Sequence, residues 1–205
     1  MGVYGEHVLP RIVDVACAMK NAGPMRQRVC DGLAGEVVEI GFGSGHNVPY
    51  YPAAVARVAA VEPSDTGWKL ARERVAAAPV PVERSGLDGQ SLPFPDDSFD
   101  AALSTWTMCT IPDIGAALAE LRRVLRPGGT LHFVEHGLAP DERVQHWQHR
   151  LEPVQKVVFG GCHLTRSTPE LLRGAGFTIS ELDVFYEDRT PKFIGAQSLG
   201  VARSG

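Results

Sequence analysis

The sequence predicts an α/β fold: an open, twisted sheet of seven strands, mostly parallel, with helices on both faces. Three observations carry this. Short apolar, β-branched runs alternate with helix-spaced patterns through most of the chain, as strand–helix–strand units do. The first such run ends directly in a glycine-rich loop, Gly41-Phe42-Gly43-Ser44-Gly45. The last two runs have no helical pattern between them, so they are expected to pair as an antiparallel hairpin.

Taken in order, residues 6–20 and 24–33 have helical spacing. Residues 37–40 are short and β-branched and end in glycine, so they read as a buried strand. Residues 47–51 open a short helix, and 57–61 form the second strand. Ser64 or Asp65 caps a helix that runs to about residue 78. The third strand is 80–84; after the turn Asp96-Asp97-Ser98 comes the fourth, 99–104. Pro112-Asp113 starts a helix with Ile114, Leu118, Leu121 and Leu125 on one face, and Pro127-Gly128-Gly129 stops it. A fifth strand, 130–135, precedes a helix over 141–158 that is bent or interrupted at Pro153. Ser167-Thr168-Pro169-Glu170 has capping-box spacing before a helix closed by Gly174 and Gly176. The last two strands are 177–185 and 193–199.

The 205 residues fit one domain, 1–205, with residues 1–33 as a helical lid. A net charge of −4 with no run of Lys or Arg argues against a general nucleic-acid binder, which needs clustered cations. No apolar stretch is long enough to span a bilayer. Residues 1–10 have neither a basic start nor an apolar core, so no secretory segment is expected. Residues 8–19 read as an amphipathic helix packed on the domain, with reversible membrane contact as the lesser reading. Four cysteines with no C-x-x-C pair argue against a disulfide framework or zinc ribbon, and make a reducing cytoplasm the default.

In such sheets ligands sit beyond the carboxyl ends of the strands, where strand order switches. The glycine loop follows the first strand and is expected at that crevice. Its glycines alternate strictly, and His46 stands where a dinucleotide fingerprint wants its last glycine. A nicotinamide dehydrogenase is therefore disfavoured. No G-K-[ST] follows, so the loop is no P-loop either. Glu39 lies inside the otherwise apolar first strand and needs a partner, a ligand ammonium or backbone N–H groups. Glu62 ends the second strand, where a carboxylate can accept two ribose hydroxyls.

L-P-F-P-D-D-S-F-D at 92–100 and R-V-L-R-P-G-G at 123–129 follow in order after V-V-E-I-G-F-G-S-G at 37–45. In this combination the chain resembles the class I S-adenosylmethionine-dependent methyltransferases, of Rossmann-like fold, in the branch that methylates small molecules. Phe133-Val134-Glu135-His136, His146-Trp147-Gln148 and Gly161 to Arg166 add a narrower likeness to thiol methyltransferase-like proteins. Bacterial phospholipid N-methyltransferases share much of the same core.

The resemblance implies a set of roles. Gly41 and Gly43 bring backbone against the methionine part of S-adenosylmethionine, with Glu39 and Asn47 nearby. Glu62 holds the ribose and Pro63 lies against adenine. Asp88, Gly89 and Gln90 border the adenine. Ser104, Thr105 and Trp106 line the methionine end, and Tyr4 closes over the site. His136, at the end of the fifth strand, is the candidate base, with a hydrogen-bonded structural histidine as the alternative. Asp65 is a weaker candidate base, with a helix cap as the favoured alternative. His132 with His136, His146 with His149, and Cys162 with His163 match no zinc spacing, so no metal is expected. Trp147, Phe159 and Leu164 are read either as an apolar acceptor pocket or as core.

The expected activity is methyl transfer from S-adenosylmethionine to a small, apolar acceptor such as a thiol. The alternatives are a phospholipid amine N-methyltransferase at a membrane surface and a non-catalytic cofactor-binding module. The expected partners are a small-molecule acceptor, no nucleic acid, and at most weak peripheral contact with a membrane. The oligomeric state is not legible.

Overall fold

Residues 7–18 and 22–205 are described by this structure, a computed structural model. Two helices, α1 (Leu9–Cys17) and α2 (Ala22–Cys30), lead into strand β1 (Gly35–Ile40). A single 3-10 turn, Val48–Tyr50, precedes β2 (Val55–Val61), α3 (Asp65–Ala76) and β3 (Val82–Gly86). Then come β4 (Phe99–Thr105), α4 (Ile114–Val124), β5 (Leu125–His136), α5 (Glu142–Val158) and α6 (Thr168–Gly174). The chain continues through β6 (Thr178–Tyr186), α7 (Lys192–Gly195) and β7 (Ala196–Arg203).

The seven strands form one sheet in the order β3-β2-β1-β4-β5-β7-β6. Pairings β1–β2, β1–β4, β2–β3 and β4–β5 are parallel. β7 runs antiparallel to β5 on one side and to β6 on the other, so it alone is reversed. The hairpin expected from the sequence is present. Its last strand lies inside the sheet, however, and β6 forms the edge.

Alternate residues of β1 feed opposite faces, as the two-residue period of a strand requires. Val37 joins Met25, Val29 and Cys30 of α2 and Ala71 of α3 in one core cluster. Val38 and Ile40 join Leu118, Leu121 and Val124 of α4 and Leu172 of α6 in the other. Both faces of the central strands are covered, which is why β1 and β4 read as almost continuous apolar runs.

Three expectations need correction. The fifth strand starts at Leu125, not 130. α4 ends at Val124, and Pro127-Gly128-Gly129 sits within the strand as an irregularity: Phe99 pairs with Leu125, and regular pairing resumes at Ala101 with Thr130. Gly128, at φ 77, supplies the left-handed residue that this bulge requires. A one-turn helix, α7, lies between the last two strands, where no helix was expected. Ser167 occupies the N-cap of α6, but its side chain makes no capping bond.

The 92–100 motif is held by α4. Arg123 donates to the carbonyls of Phe94 (2.8 Å) and Leu92 (3.1 Å) and to the Asp96 carboxylate (2.8 Å). Glu120, paired with Arg123, accepts the Leu92 N–H at 2.7 Å. The 92–100 segment is thus clamped onto the helix through Arg123 and Glu120.

Candidate functional site

β1 and β4 are neighbours whose onward connections leave in opposite directions, so the strand order switches between them. The carboxyl ends of these two strands carry the glycine loop and the segment Ser104-Thr105-Trp106. Gly41 and Phe42 anchor the loop by donating to the Val61 carbonyl of β2, at 3.0 and 3.2 Å.

Gly41 and Gly43 both have left-handed backbone, at φ 65 and φ 59, but they need glycine for different reasons. A Cβ at Gly41 would lie 2.1 Å from the Thr107 hydroxyl oxygen, so a protein side chain already fills that space. A Cβ at Gly43 would meet nothing closer than the Gly41 carbonyl at 3.9 Å. Gly43 is the glycine with open space in front of it.

Glu62 ends β2 and is 5% exposed. Its two oxygens accept the N–H groups of Gly43 (2.6 Å) and Ser64 (2.7 Å). Burial pushes its carboxyl above the ordinary range, against these bonds and the nearby Arg84. Each oxygen keeps a further acceptor position. Pro63 beside it is exposed. Ser64 is the cap of α3, its hydroxyl accepting from the Gly67 N–H at 3.0 Å. Asp65 pairs instead with Arg84 at 2.6 Å, on the outside of the site.

Glu39 finds its partners in side chains, not in backbone N–H groups. Tyr51 donates to one oxygen and Asn47 to the other, at 2.8 Å for Asn47. Asn47 also donates to the Thr105 hydroxyl at 3.0 Å. Burial pushes Glu39 up to about 7, against the two hydrogen bonds and Arg26.

Arg26, on α2, completes this cluster. Its Nη1 donates to Asn47 Oδ1 at 2.6 Å, and its guanidinium stacks 4.7 Å from the Trp106 ring centroid. It is 5% exposed, and its Nε has no hydrogen-bond partner. Taking a cation out of water costs several kcal/mol even after relaxation. A desolvated cation–π contact returns about 2 kcal/mol.

At the far end of β4, Ser104 is fully buried and donates to Glu135 of β5 at 2.8 Å. The Thr107 N–H donates to the same Glu135 oxygen at 3.0 Å. Burial raises Glu135 to about 7, against these bonds. Trp106 has φ 51, unusual for a bulky residue. Its indole N–H donates to Gln197 Oε1 of β7 at 3.0 Å.

That bond fixes the protonation of His136. The indole is a donor only, so Gln197 must present its oxygen to Trp106 and its NH2 to His136 Nδ1, 3.0 Å away. Nδ1 is then the acceptor, and Nε2 carries the proton of the neutral ring. Burial lowers His136 to about 4, against a hydrogen bond with the Ile194 backbone, so the ring stays neutral. The Nδ1 lone pair is engaged by Gln197, so the neutral ring offers no free lone pair to an acceptor.

Asp88 and Gln90 are bound up in their own turn. Asp88 accepts from the Gln90 N–H at 2.8 Å, and Gln90 Oε1 accepts from the Asp113 N–H at 2.8 Å. Gly89 lies over the end of β1, a Cβ there meeting Ile40 at 3.8 Å. Tyr4 lies outside the described residues. α1 reaches the glycine loop through Asp14, which accepts from Ser44 at 2.6 Å and faces His46 at 2.9 Å. Burial opposes the Asp14 charge, but Ser44, His46 and Arg74 outweigh it and hold its carboxyl below the usual range.

Several residues lie apart from this cluster. His132 is buried against the Val29 carbonyl, and His163 faces Glu152 at 3.2 Å. Trp147 and Phe159 are exposed, and Leu164 is core. Among the described residues no group of three His, Cys, Asp or Glu is placed to hold a metal ion. Two cavities, of about 440 and 540 Å³, lie along β6 and beneath α2 and include none of the loop residues. Four residues joined by this geometry were not singled out from the sequence: Arg26, Tyr51, Thr107 and Gln197. Helical spacing carried a signal for the first, because Arg26 falls on the stripe Ala22, Met25, Val29, Cys30 that α2 buries.

A glycine loop at the switch point, with a buried carboxylate ending the next strand, defines a domain that holds a nucleoside-bearing ligand on its strand ends. Residues 38–133 match the family described as "Methyltransferase domain". It is 33% identical over 158 residues to thiol S-methyltransferase TMT1B of Rattus norvegicus, covering 74% of this chain and 64% of that protein. It is 30% identical over 136 residues to a phosphatidylethanolamine N-methyltransferase of Cereibacter sphaeroides, covering 61% of this chain and 63% of that protein. The chain thus spans less than two thirds of either relative's length. A solved S-adenosylmethionine-dependent methyltransferase from Mesorhizobium loti shares the fold, with TM-score 0.64 and 20% identity, over 89% of this chain and 97% of that one. No helix among the described residues is long and apolar enough to cross a membrane.

Proposed function

We propose that this protein is an S-adenosylmethionine-dependent methyltransferase acting on a small apolar acceptor, a thiol first. The observation that carries this is the pairing of open space before Gly43 with the buried Glu62 carboxylate, inside the residues that match a methyltransferase domain. Glu62, with an acceptor position left on each oxygen, would take the ribose hydroxyls. Pro63 and Gly89 would flank the base, and Asp88 and Gln90 would shape that rim. Gly41, Gly43, Glu39 and Asn47 would enclose the amino-acid end. Ser104, Thr105 and Trp106 would border the methyl.

When bound, the cofactor supplies a methyl group made electrophilic by its sulfonium charge. The protein's work is then to align the acceptor and exclude water. A thiol with a pKa of about 8.5 is partly ionised near neutral pH and needs no dedicated base. His136, neutral and bonded through Nδ1 to Gln197, suits such an acceptor: it orients Gln197 and Trp106 and takes no proton. The names of the relatives, a thiol S-methyltransferase among them, lend weight to this acceptor.

Calorimetry with S-adenosylmethionine and S-adenosylhomocysteine is the direct test, followed by turnover across alkyl thiols, phenols and amines. Failure to bind either ligand sinks the proposal. Binding without turnover of any acceptor would make the chain a cofactor-binding module.

One observation favours a second reading, methylation of a lipid amine at a membrane surface. α1 and the end of α5 meet, since a Cβ at Gly160 would lie 2.4 Å from Leu9. Around that meeting Ile12, Val13 and Val15 on α1 and Val154, Val157 and Val158 on α5 are solvent-exposed, Val15 at 71% and Val157 at 76%. Arg11, Arg143 and Arg150 are exposed on the same two helices. Exposed apolar side chains and arginines on the same two helices suit an anionic lipid surface. Co-sedimentation with phosphatidylglycerol vesicles, lost in Val157→Asp, is the expected result under this reading. Indifference to vesicles removes it.

A further inference from the structure

We infer that Arg26 is the cationic half of a carboxylate-binding site at the carboxyl ends of β1 and β4, and that its anion is the carboxylate at the cofactor's amino-acid end. The inference rests on the methyltransferase reading and adds to it a residue that the glycine loop and Glu62 do not supply.

Three features of the molecule support it. The first is a missing counter-ion. Arg26 is 5% exposed, yet its partners are neutral: Asn47 Oδ1 at 2.6 Å, the Thr105 hydroxyl at 3.4 Å and the Cys17 carbonyl at 3.5 Å. Among the described residues no carboxylate stands within ion-pair distance of it. Glu39 is the acid nearest in influence, and both its oxygens are bonded to Tyr51 and Asn47 instead. The second is an unused donor: Nε is buried without a partner. A guanidinium with a free N–H presents a donor suited to a planar carboxylate.

The third is place. Arg26 touches Asn47, just beyond the glycine loop, and stacks on Trp106, just beyond β4. These two segments border the switch point where the cofactor's amino-acid end is proposed to lie. The strained backbone of Trp106, at φ 51, sets its ring under the guanidinium and holds it there through Gln197. Burial pulls Arg26 below its ordinary range, as expected for a cation without its anion. A buried cation lacking a counter-ion is costly, and binding an anion would relieve that cost.

A carboxylate could also arrive on an acidic acceptor, so the experiment separates the two sources. Affinities of S-adenosylmethionine and its decarboxylated analogue are measured by calorimetry for the wild type, Arg26→Gln and Arg26→Lys. The analogue keeps the ammonium, the sulfonium and the nucleoside and lacks only the carboxylate. Arg26→Gln should weaken S-adenosylmethionine on the order of 10- to 100-fold, the range for a lost charge-assisted bond, and the analogue by less than about 3-fold. Arg26→Lys, which keeps the charge and guards against a mere folding defect, should recover part of the loss.

Equal losses for the two ligands would make Arg26 a structural residue and overturn the inference, as would no loss for either. A variant that binds S-adenosylmethionine normally but turns over 3-mercaptopropionate worse relative to 1-propanethiol would move the anion to the acceptor and overturn it too. In all three cases the wild type binds the cofactor, so the methyltransferase reading stands. Failure of the wild type to bind either ligand is the one result that removes both.

Discussion

Replacing Glu62 by Gln isolates what this carboxylate does for the loop before any ligand is present. The glutamate accepts two backbone N–H groups, Gly43 at 2.6 Å and Ser64 at 2.7 Å, one on each oxygen. Glutamine has one acceptor oxygen and an NH2, so one of the two N–H groups must face another donor. A buried N–H left without an acceptor costs about 1–3 kcal/mol. The variant also removes a buried charge, and burial raises this carboxyl above its ordinary range, so part of the loss is returned. The net is about 2 kcal/mol, or a melting temperature lower by about 4–8 °C for a chain of this size. Differential scanning calorimetry of the ligand-free protein reads it directly. Calorimetric titration with S-adenosylhomocysteine should then show a further loss on the order of 10- to 100-fold, because the proposed ribose contacts go with the charge. An unchanged melting temperature would refute the account of Glu62 as the strut of the glycine loop. A lowered melting temperature with unchanged ligand affinity would keep the strut and remove the ribose role.

The two glycines should separate in a pair of alanine variants. Gly41→Ala sets a methyl 2.1 Å from Thr107 on left-handed backbone, and thermal melts should show about 2–4 kcal/mol of lost stability. Gly43→Ala meets only backbone strain, about 1–2 kcal/mol, and should show itself mainly as weakened binding of S-adenosylhomocysteine. Glu135→Gln should change the pH dependence of stability. Glu135 rises from 4.5 to about 7 on folding, so the native state holds its proton where the unfolded chain has lost it. The stability it confers is present below pH 4.5 and is lost as pH rises through about 7, by about 3 kcal/mol in total. Relative to wild type, the variant should gain stability across that window in denaturant melts; a constant offset would contradict the raised carboxyl. Finally, the pH–rate profile with a thiol acceptor should show no inflection from His136 between about pH 6 and 8. An inflection there that disappears in His136→Asn would restore the ring as a general base.

Much of the scaffold was legible because its strands announce themselves by composition. Residues 37–40 and 99–104 are mostly apolar, with apolar residues on both faces, as strands covered on both sides must be, and both lie where expected. Strand order was not legible, since nothing local to 196–203 says that it pairs with both β5 and β6. The extension of β5 back to Leu125 was hidden by Pro127-Gly128-Gly129, which reads as a stop when considered locally and is a bulge once β4 lies alongside. In the site, the positions of Gly43 and Glu62 followed from sequence, but the partners of Glu39 did not. Nothing local marks Tyr51, and only the three-dimensional return of the 3-10 turn brings its hydroxyl to Glu39. His136 drew attention as an ionisable group at a strand end; Gln197, 61 residues later, fixes its tautomer, a separation no local motif encodes.

The reversed strand β7 also bears on the order in which the molecule can be assembled during synthesis. β6 is made first but has no sheet partner other than β7, so it has no strand to pair with until residues 196–203 have been made. β1, β2, β3 and β4 have all their pairings with one another and with β5, and can close before that. Gln197, the residue that latches Trp106 and His136, arrives with β7. A nascent chain halted short of this strand would hold its glycine loop and Glu62 and lack the latch on its Trp106 side.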